Sequence, residues 1–253
     1  MPSFEQEYEC LHHYVALRDL TQDMYILKFP RNNCLDFLHR ISTNSLRDLP
    51  VYCFQKTIFT TDKGRIIDTA YILHLEDQVL LIAHSVHQKK LLDWLQRYAI
   101  LEDITIERSQ KYVLVEILGK KAKTVLSENL KLPILHENKI YMSTLANQNF
   151  YLFSTSNYPY SVYCLIDRII SLAIIQENLE KFGISIYQIS GFTYNIYRIE
   201  YGIPIAPYEL NETINPHEAC LLDAVNFTKG CYIGQEVIAR LRTYDKVQKY
   251  LTG

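Results

Sequence analysis

The sequence predicts an α+β fold, because its strand patterns occur in clusters with helical patterns between them. A doubly wound sheet would instead show strands and helices in regular alternation. The chain has 253 residues, of which 48% are hydrophobic and 21% are charged. That is enough apolar material for one large or two modest domains with a sizeable core. Twenty tyrosines beside one tryptophan suit half-buried strands and polar-rimmed clefts, but they indicate no chemistry.

The first half of the chain predicts a strand, a helix and then a run of strands. Leu35, Phe37 and Ile41 recur at helical spacing after the first strand. The sequence Asp-Lys-Gly at 62–64 marks a turn between two strands. Ser85 is predicted to cap an amphipathic helix that contains Trp94. The predicted strands of this half cover residues 25–29, 58–61, 65–75, 79–83 and 104–107.

The second half begins with a strand, a glycine and a basic helix start, an order that phosphate-binding loops share. A phosphate loop of the Walker type also needs a second glycine directly before Lys-Ser/Thr, and this segment lacks it. The lysines within 120–123 are therefore interpreted as a solvated helix face. Asp167 is predicted to cap a helix that ends near residues 182–183. The predicted strands of this half cover residues 113–118, 151–153 and 162–166.

Charge, cysteine usage and hydropathy exclude several classes of protein. The 26 basic and 28 acidic residues give a net charge of −2, which disfavours broad electrostatic capture of DNA or RNA. The six cysteines form no CxxC pair in a chain that is large enough to fold without disulfides, so a reducing, cytoplasmic compartment is predicted. The first residues do not resemble a signal peptide, and no apolar run is long enough to cross a bilayer. A soluble protein without membrane contacts is expected.

The densest chemical signal is the octapeptide Lys-Gly-Cys-Tyr-Ile-Gly-Gln-Glu at 229–236. Its two glycines allow a tight turn whose backbone can approach a ligand. Cys231 is predicted to lie just ahead of a helix N-terminus and two residues from Lys229, and both features stabilise a thiolate. On these residues alone, a reactive thiol and a buried, inert cysteine both remain open, and the buried cysteine is the commoner case.

The octapeptide resembles the signature of the YgfZ/IBA57 family. That family is the folate-binding, iron–sulfur-maintenance branch of the aminomethyltransferase (glycine cleavage T-protein) superfamily. Further segments are similar to superfamily motifs and occur in the same order along the chain, which supports the resemblance. They are Phe37-Leu38 with residues 42–44, the glycine-arginine hairpin at 63–68, the Arg-Ile-Glu-x-Gly-x-Pro segment within 197–204, and the segment 215–221.

The resemblance implies the folate-binding fold of the T-protein, with two interleaved lobes at about 1–110 and 111–253. It also implies that the C-terminal β-barrel of the relatives is absent. The implied function is a tetrahydrofolate-binding protein that supports assembly or repair of iron–sulfur enzymes. Folate and iron–sulfur client or assembly proteins are the implied partners. Two alternatives stay open: a folate-dependent aminomethyltransferase, and a non-catalytic scaffold that binds a partner without folate.

The resemblance also implies the residues of the site. Glu200 matches the glutamate that accepts adjacent ring N–H and amino donors of a reduced pterin, and a carboxylate can accept both. The alternative is an exposed helix-end carboxylate paired with Arg198. Asp68 matches the aspartate beside the reacting nitrogen of tetrahydrofolate, where it stabilises positive charge. The implied catalytic residues are Cys231 and Asp68, and the implied folate contacts are Glu200, Arg198, Lys229, Tyr232 and Asn44.

Several positions depart from the aminomethyltransferase pattern. Ile67 precedes Asp68 where those enzymes carry another aspartate, and residues 231–234 replace their Asp-Phe-Ile-Gly. Both departures favour the iron–sulfur branch over glycine cleavage. Ser45 stands where the family usually has an acidic residue, so no ligand role is expected there.

No closed metal site is predicted from the histidines and cysteines. His217 with Cys220 supplies two candidate ligands, and so does His84 with His87, whereas a protein zinc site needs three or four. The cysteines cannot be grouped into a four-thiolate site for an iron–sulfur cluster. If a cluster binds, Cys231 would contribute one ligand and a partner or second subunit would supply the others.

Overall fold

The strands of the protein form two sheets. The computed structural model describes residues 3–30, 33–129, 136–145, 148–155, 161–167, 177, 180, 186–244 and 247–252. In chain order, the strands are β1 (Val15–Asp19), β2 (Met24–Pro30), β3 (Cys53–Thr60), β4 (Ile66–His74), β5 (Gln78–His84), β6 (Glu107–Arg108), β7 (Tyr112–Leu118), β8 (Ile140–Leu145), β9 (Gln148–Ser154), β10 (Ser161–Asp167) and β11 (Ile186–Gln188). The α-helices are α1 (Phe4–His13), α2 (Cys34–Ile41), α3 (Gln88–Ala99), α4 (Ala122–Asn129), α5 (Gly191–Glu200) and α6 (Gln235–Tyr244).

Contacts divide the chain into two units, and each unit is built from two segments. The first unit comprises Met1–Gln22 and Gln110–Ile203. The second unit comprises Asp23–Ser109 and Pro204–Gly253. Each unit contains one of the two sheets and its own apolar core. The division into lobes at about 1–110 and 111–253 stays a prediction.

The second unit contains an antiparallel sheet with the strand order β3-β4-β5-β2-β6. The strand β5 is an almost unbroken apolar run, because nearly all of its residues are buried on both faces of the sheet. On one face, the helices α2 and α3 contribute to a core in which the Trp94 ring meets the edge of Phe59. A separate core joins Ile58 and Ile66 of the hairpin to Ile238 of α6. The hairpin β3–β4 therefore contributes to two cores.

The first unit contains a mixed sheet with the strand order β11-β1-β7-β10-β9-β8. Its neighbouring strands are antiparallel except for β1 and β11, which run parallel. Helices α1 and α5 pack on this unit through a core that includes Leu11, Tyr194 and Tyr197. Leu126 of α4 belongs to a second core with side chains of the sheet.

A buried carboxylate fixes the start of α5. Glu7 of α1 accepts hydrogen bonds from the backbone N–H of Ser190 (3.0 Å), from its hydroxyl (2.8 Å) and from the hydroxyl of Thr193. Burial by itself raises the pKa of Glu7, but these hydrogen bonds outweigh it, and the pKa lies below its ordinary value. A helix N-terminus leaves N–H groups unsatisfied and carries partial positive charge, so an ionised carboxylate is stabilised there. The contact holds α5, whose last residue is Glu200, against α1.

The predicted α+β class is confirmed, and four of the five segments predicted as strands in the first half correspond to β2, β3, β4 and β5. The prediction for Ser85 was wrong: this residue begins a 3₁₀ turn, Ser85–His87, and α3 begins at Gln88 without a side-chain cap. The backbone N–H of Ser85 donates to the carbonyl of Asp23, and this hydrogen bond joins the end of β5 to the start of β2. Of the predicted strand 104–107, only its last residue pairs with β2.

The sequence patterns did not predict α1, and they indicated α5 only through Glu200 as a possible helix-end residue. The start of α1 carries a capping box, in which the Ser3 hydroxyl accepts from Gln6 N–H and the Gln6 side chain accepts from Ser3 N–H. At the start of α5, the Ser190 hydroxyl accepts from Thr193 N–H, whereas Ser190 N–H donates to Glu7. The helix predicted after Asp167 lies outside the described residues. Among the described helices, none combines the length and the apolar character needed to cross a bilayer.

Candidate functional site

The side chain of Lys229 anchors the octapeptide to the end of α2. Its ammonium group donates to the carbonyls of Ser42 (2.7 Å), Asn44 (2.8 Å) and His39. Burial and the Arg47 guanidinium lower the pKa of Lys229 to about 7, whereas three carbonyl acceptors match the three N–H bonds of the charged form. Carbonyls at a helix C-terminus lack partners within the helix, so a lysine there satisfies them. The ammonium of Lys229 thus has three partners within the fold.

Asn44 and Tyr232 are buried beside this anchor. The Asn44 amide donates to the carbonyl of Lys56 (2.9 Å), and its oxygen accepts the backbone N–H of Ser45 (2.8 Å). Tyr232 belongs to the core around the β3–β4 hairpin, and burial raises its pKa to about 12. The Lys229 ammonium lies 5.1 Å from the centroid of the Tyr232 ring. The folate role of these residues stays a prediction.

Gly234 packs the octapeptide against the β3–β4 hairpin. This glycine has φ +82°, and a Cβ atom there would lie 2.6 Å from the carbonyl oxygen of Thr61. The Thr60 hydroxyl donates to the carbonyl of Ile233 at 2.7 Å. On the hairpin side, Gly64 has φ +67° and also lies against α6. Gly234 is therefore required by close approach as well as by backbone conformation, and Gly64 by its backbone conformation, whereas a Cβ atom at Gly230 would meet no described atom within 4 Å.

Cys231 is exposed at the tip of this anchored loop, four residues before α6 begins. The alternative of a buried, inert thiol therefore does not apply. Cys220 is the other exposed cysteine, and the remaining four cysteines are buried. All six cysteines are free thiols. The loop thus presents one thiol to solvent while its neighbours at 229 and 232 are buried.

The hairpin is also joined to the segment 215–221. The Arg65 guanidinium donates to the carbonyl of Thr213 (2.8 Å) and to Glu218 Oε2 (3.0 Å). His217 is buried, and its Nε2 lies 2.9 Å from the carbonyl of Ile238 in α6. Three of the segments that resemble family motifs, namely the hairpin, 215–221 and the octapeptide, therefore converge in the second unit.

Asp68 is fully buried near the start of β4. Its Oδ1 accepts from the backbone N–H of Thr69 (2.8 Å) and lies 2.7 Å from Nδ1 of His84. Its Oδ2 accepts from the backbone N–H of His84 at 3.1 Å. Burial opposes ionisation of this carboxyl, but the His84 and His87 rings outweigh it, and the pKa of Asp68 lies below its ordinary value. The fold therefore holds a carboxylate in contact with an imidazole.

Two further polar groups of this cluster make no hydrogen bond to the described residues. Nδ1 of His87 lies 3.5 Å from Asp68 Oδ1 and has no hydrogen-bond partner in the described part of the chain. The Tyr25 hydroxyl on β2 is also buried and has no partner among the described residues. Burial and the Asp68 charge raise the pKa of Tyr25. Buried polar atoms without partners are uncommon in native proteins, so this cluster is a candidate binding site.

Glu200 and Arg198 lie in the first unit. The Tyr8 hydroxyl donates to Glu200 Oε1 at 2.5 Å, and His12 Nε2 lies 3.6 Å from Oε2. The hydrogen bond to Glu200 raises the pKa of Tyr8. Arg198 is buried and donates through Nε to Asn195 Oδ1 at 2.7 Å. Rings in mutual contact continue along this surface, namely Phe4, Tyr8, His12, Phe192, Tyr197 and Tyr201.

The structure thus brings some of the predicted site residues together and not others. Lys229, Tyr232 and Asn44 are in mutual contact or share partners in the second unit, to which Asp68 and Cys231 also belong. Sequence reasoning considered His84 only as a metal ligand and missed its contact with Asp68. It also missed Tyr25, for which no sequence signal exists. Within the described residues, no group of three His, Cys, Asp or Glu side chains is arranged to hold a metal ion.

The chain matches the profile of a known protein family. The profile of the family described as "GCVT N-terminal domain" matches residues 1–158. These residues are more than half of the 253 in the chain.

Curated relatives match most of this chain at low identity. The tRNA-modifying protein YgfZ of Blochmanniella pennsylvanica is 25% identical over 248 residues, which are 94% of this chain and 70% of that protein. An aminomethyltransferase of Staphylococcus carnosus is 22% identical over 249 residues, which are 93% of this chain and 66% of that protein. Some relatives are matched over little more than half of their length, down to 51%.

A solved structure shows the same fold. The glycine cleavage system aminomethyltransferase T from Bartonella henselae matches with a TM-score of 0.80 at 15% identity. The match covers 96% of this chain and 67% of that one. The T-protein-like fold predicted from the sequence is thereby confirmed.

Proposed function

The chain belongs to the GCVT N-terminal domain family, and on this premise we propose that it is a tetrahydrofolate-binding protein that supports assembly or repair of iron–sulfur enzymes. The octapeptide at 229–236 and the YgfZ relatives support this branch of the superfamily. Ile67 and Cys231 support it as well, because they stand where the sequence of an aminomethyltransferase carries aspartates. The proposed partners are folate and iron–sulfur client or assembly proteins.

The observation that carries the proposal is an exposed thiol on a loop that is fixed on both sides. Lys229 holds one side through three carbonyls, and Tyr232 and Gly234 hold the other through buried contacts. A side chain that the fold already holds in position loses little conformational entropy when it contacts a partner. Cys231 is presented in this way, so we propose it as the functional thiol.

The first test deletes the gene in its host and measures radical-SAM and other iron–sulfur enzymes. We expect lowered activities, restored by the wild-type gene but not by Cys231→Ser. Cys220→Ser is the matched control, because it removes the other exposed thiol, and it should restore activity. Normal activities throughout the deletion strain would contradict the proposal. Modified tRNA nucleosides from the same strain measure whether the role named for the YgfZ relatives extends to this chain.

Glu200 is the proposed pterin contact. Its carboxylate is exposed at the end of α5 and can accept two adjacent donors, and nearby rings such as Tyr8 offer flat surfaces for stacking. A reduced folate would supply ring nitrogens that carry one-carbon units. The residues present thus fit the chemistry of a ligand with a donor-rich aromatic edge.

Calorimetric titration with tetrahydrofolate tests this contact. We expect Glu200→Ala to weaken binding by about tenfold or more, because a bidentate charged contact is lost. Glu9→Ala is the control, since Glu9 is another exposed glutamate of the first unit. Unchanged affinity in Glu200→Ala would exclude this contact, and no binding by the wild type would exclude folate altogether.

Aminomethyl transfer is a second candidate, supported by the aminomethyltransferase relatives and by Asp68 at the hairpin. It predicts measurable methylene transfer to tetrahydrofolate from a lipoyl-carried aminomethyl group. The same assay with Cys231→Ser separates the two candidates, because transfer of this kind would not need the thiol. Absence of transfer by the wild-type protein would leave the iron–sulfur role as the one supported.

We also propose that the protein works in a reducing compartment such as the cytoplasm. Six free cysteines, two of them exposed, support this placement, because exposed thiols persist where disulfides are kept reduced. Fractionation of the host with an antibody against the chain tests it. Recovery from an oxidising compartment would contradict it.

A further inference from the structure

Asp68 is too deeply buried to contact a ligand directly. The exposed fraction of its side chain is 0%, and both oxygens already accept hydrogen bonds from protein groups. A group that stabilises charge on a ligand must lie within hydrogen-bond reach of it. The carboxylate of Asp68 is enclosed, so another group must meet the ligand.

His84 contacts this buried carboxylate and is itself partly exposed to solvent. Its side chain is 17% exposed, and its Nδ1 lies 2.7 Å from Asp68 Oδ1. Its backbone N–H is also bound to Asp68, so the residue is held at two points. The other ring nitrogen, Nε2, makes no hydrogen bond within the described part of the chain. Asp68 thus holds one ring nitrogen of His84 in position, and the other ring nitrogen can accept a hydrogen bond from a ligand.

We propose that His84 is the ligand-facing group of this site and that Asp68 is the positioning residue that sets its tautomer. An ionised carboxylate accepts a proton-bearing nitrogen, so Asp68 holds the N–H on Nδ1 and leaves the lone pair on Nε2. This inference deepens the proposed folate function and rests on it for the identity of the ligand. The ligand chemistry is an N–H donor, such as a ring or amine nitrogen of a reduced pterin cofactor.

The arrangement allows a proton to move without any further reactant. His84 Nε2 accepts the hydrogen bond of a ligand N–H. When it takes the proton, the N–H bond breaks, its electron pair stays on the ligand nitrogen, and an Nε2–H bond forms. The positive imidazolium then lies against the negative charge of Asp68, so the net charge of the pair changes from −1 to zero. The reverse transfer returns the proton to a ligand nitrogen that carries a lone pair.

The groups that face Asp68 favour its charged form. His84 approaches from the end of β5 and His87 from the 3₁₀ turn that follows it. Tyr25 approaches from β2, and its hydroxyl stays protonated because burial and the Asp68 charge raise its pKa. No second carboxylate is recorded against Asp68 in the described residues. The proton exchanged at this site therefore belongs to an imidazole.

The tautomer can be measured directly in the protein without ligand. Long-range proton–nitrogen NMR of the imidazole rings distinguishes a protonated Nδ1 from a protonated Nε2, and the signals lost in His84→Gln assign that ring. We expect the wild type to carry the proton on Nδ1 of neutral His84. Asp68→Asn should remove the strict preference, because an amide nitrogen then competes for the same position. A wild-type ring protonated on Nε2 would overturn the proposal.

Titration with tetrahydrofolate tests the ligand-facing role. We expect His84→Gln to bind about tenfold more weakly, which is one lost hydrogen bond of about 1.4 kcal/mol. His136→Gln is the control, since it removes an exposed imidazole that does not belong to this cluster, and it should bind within about twofold of wild type. Equal losses in both variants, or none in His84→Gln, would overturn the proposal. If the wild type does not bind, the folate function fails, while the NMR result still decides the role of Asp68.

Discussion

Two carboxylates that the family resemblance assigns to one ligand lie in opposite environments. Asp68 in the second unit is enclosed and accepts three hydrogen bonds from protein groups. Glu200 in the first unit is exposed at a helix end, with the Tyr8 hydroxyl on one oxygen. A matching residue type in a motif therefore does not fix how the residue acts. The carboxylate of Glu200 is open to solvent, whereas the carboxylate of Asp68 is enclosed and contacts the imidazole of His84.

The largest effect is expected where the enclosed carboxylate is removed. Asp68→Ala leaves two buried backbone N–H groups and the His84 ring without their acceptor, so the free energy of unfolding should fall by roughly 3 kcal/mol. Asp77→Ala, at an exposed turn of the same sheet, is the control and should change it by less than about 0.5 kcal/mol. Urea denaturation of both variants measures the difference. Equal effects would show that enclosure of Asp68 contributes nothing.

The anchor of the octapeptide is the next largest contribution. Lys229→Met keeps the apolar stem but leaves three carbonyls without their donor, so stability should fall by about 2 kcal/mol. Lys63→Met, at an exposed position of the hairpin, is the control. The alkylation rate of Cys231 in each variant shows whether the anchor also sets the position of the thiol. If Lys229→Met is as stable as the control, the anchor has no energetic role.

The carboxylate at the start of α5 gives a smaller, pH-dependent effect. Glu7→Gln should cost about 1.5 kcal/mol at neutral pH, because it exchanges a charged acceptor for a neutral one. The folded pKa of Glu7 lies below its ordinary value of 4.5. Its stabilisation is therefore complete above the unfolded pKa and is lost as the pH falls through the folded pKa. Urea midpoints should differ between wild type and variant at pH 7 and converge as the pH falls through the folded pKa of Glu7. A constant difference would contradict this role.

The smallest effect is expected at the exposed carboxylate. Glu200→Ala should change stability by less than about 0.5 kcal/mol, because its hydrogen bond and its contact with His12 are open to solvent. A double-mutant cycle with Tyr8→Phe measures the pair directly. A loss above about 1 kcal/mol would show that Glu200 is a structural residue like Asp68. The two carboxylates would then not differ in their contribution to stability.

Local patterns in the sequence were sufficient for much of the fold. The spacing of Leu35, Phe37 and Ile41 predicted α2, and the turn at 62–64 predicted the hairpin, because both depend on residues close in sequence. The helix after Asp167 was predicted on the same grounds but lies outside the described residues. The prediction for Ser85 failed because Ser85 begins a separate 3₁₀ turn, so His87 and not Ser85 stands at the N-cap of α3. The capping box at Ser3 was a readable signal that was overlooked.

The sequence by itself determined the fold class, the family and the position of the anchored loop, because these follow from spacing, glycines and motif order. Tertiary structure decided which groups are enclosed. The contacts of Asp68 with His84, and of Lys229 with Ser42, join residues 16 and 187 positions apart. Burial and charge at such contacts depend on neighbours that only the folded chain supplies. They separate the enclosed carboxylate of Asp68 from the exposed one of Glu200, although the family resemblance implied that both lie beside the same ligand.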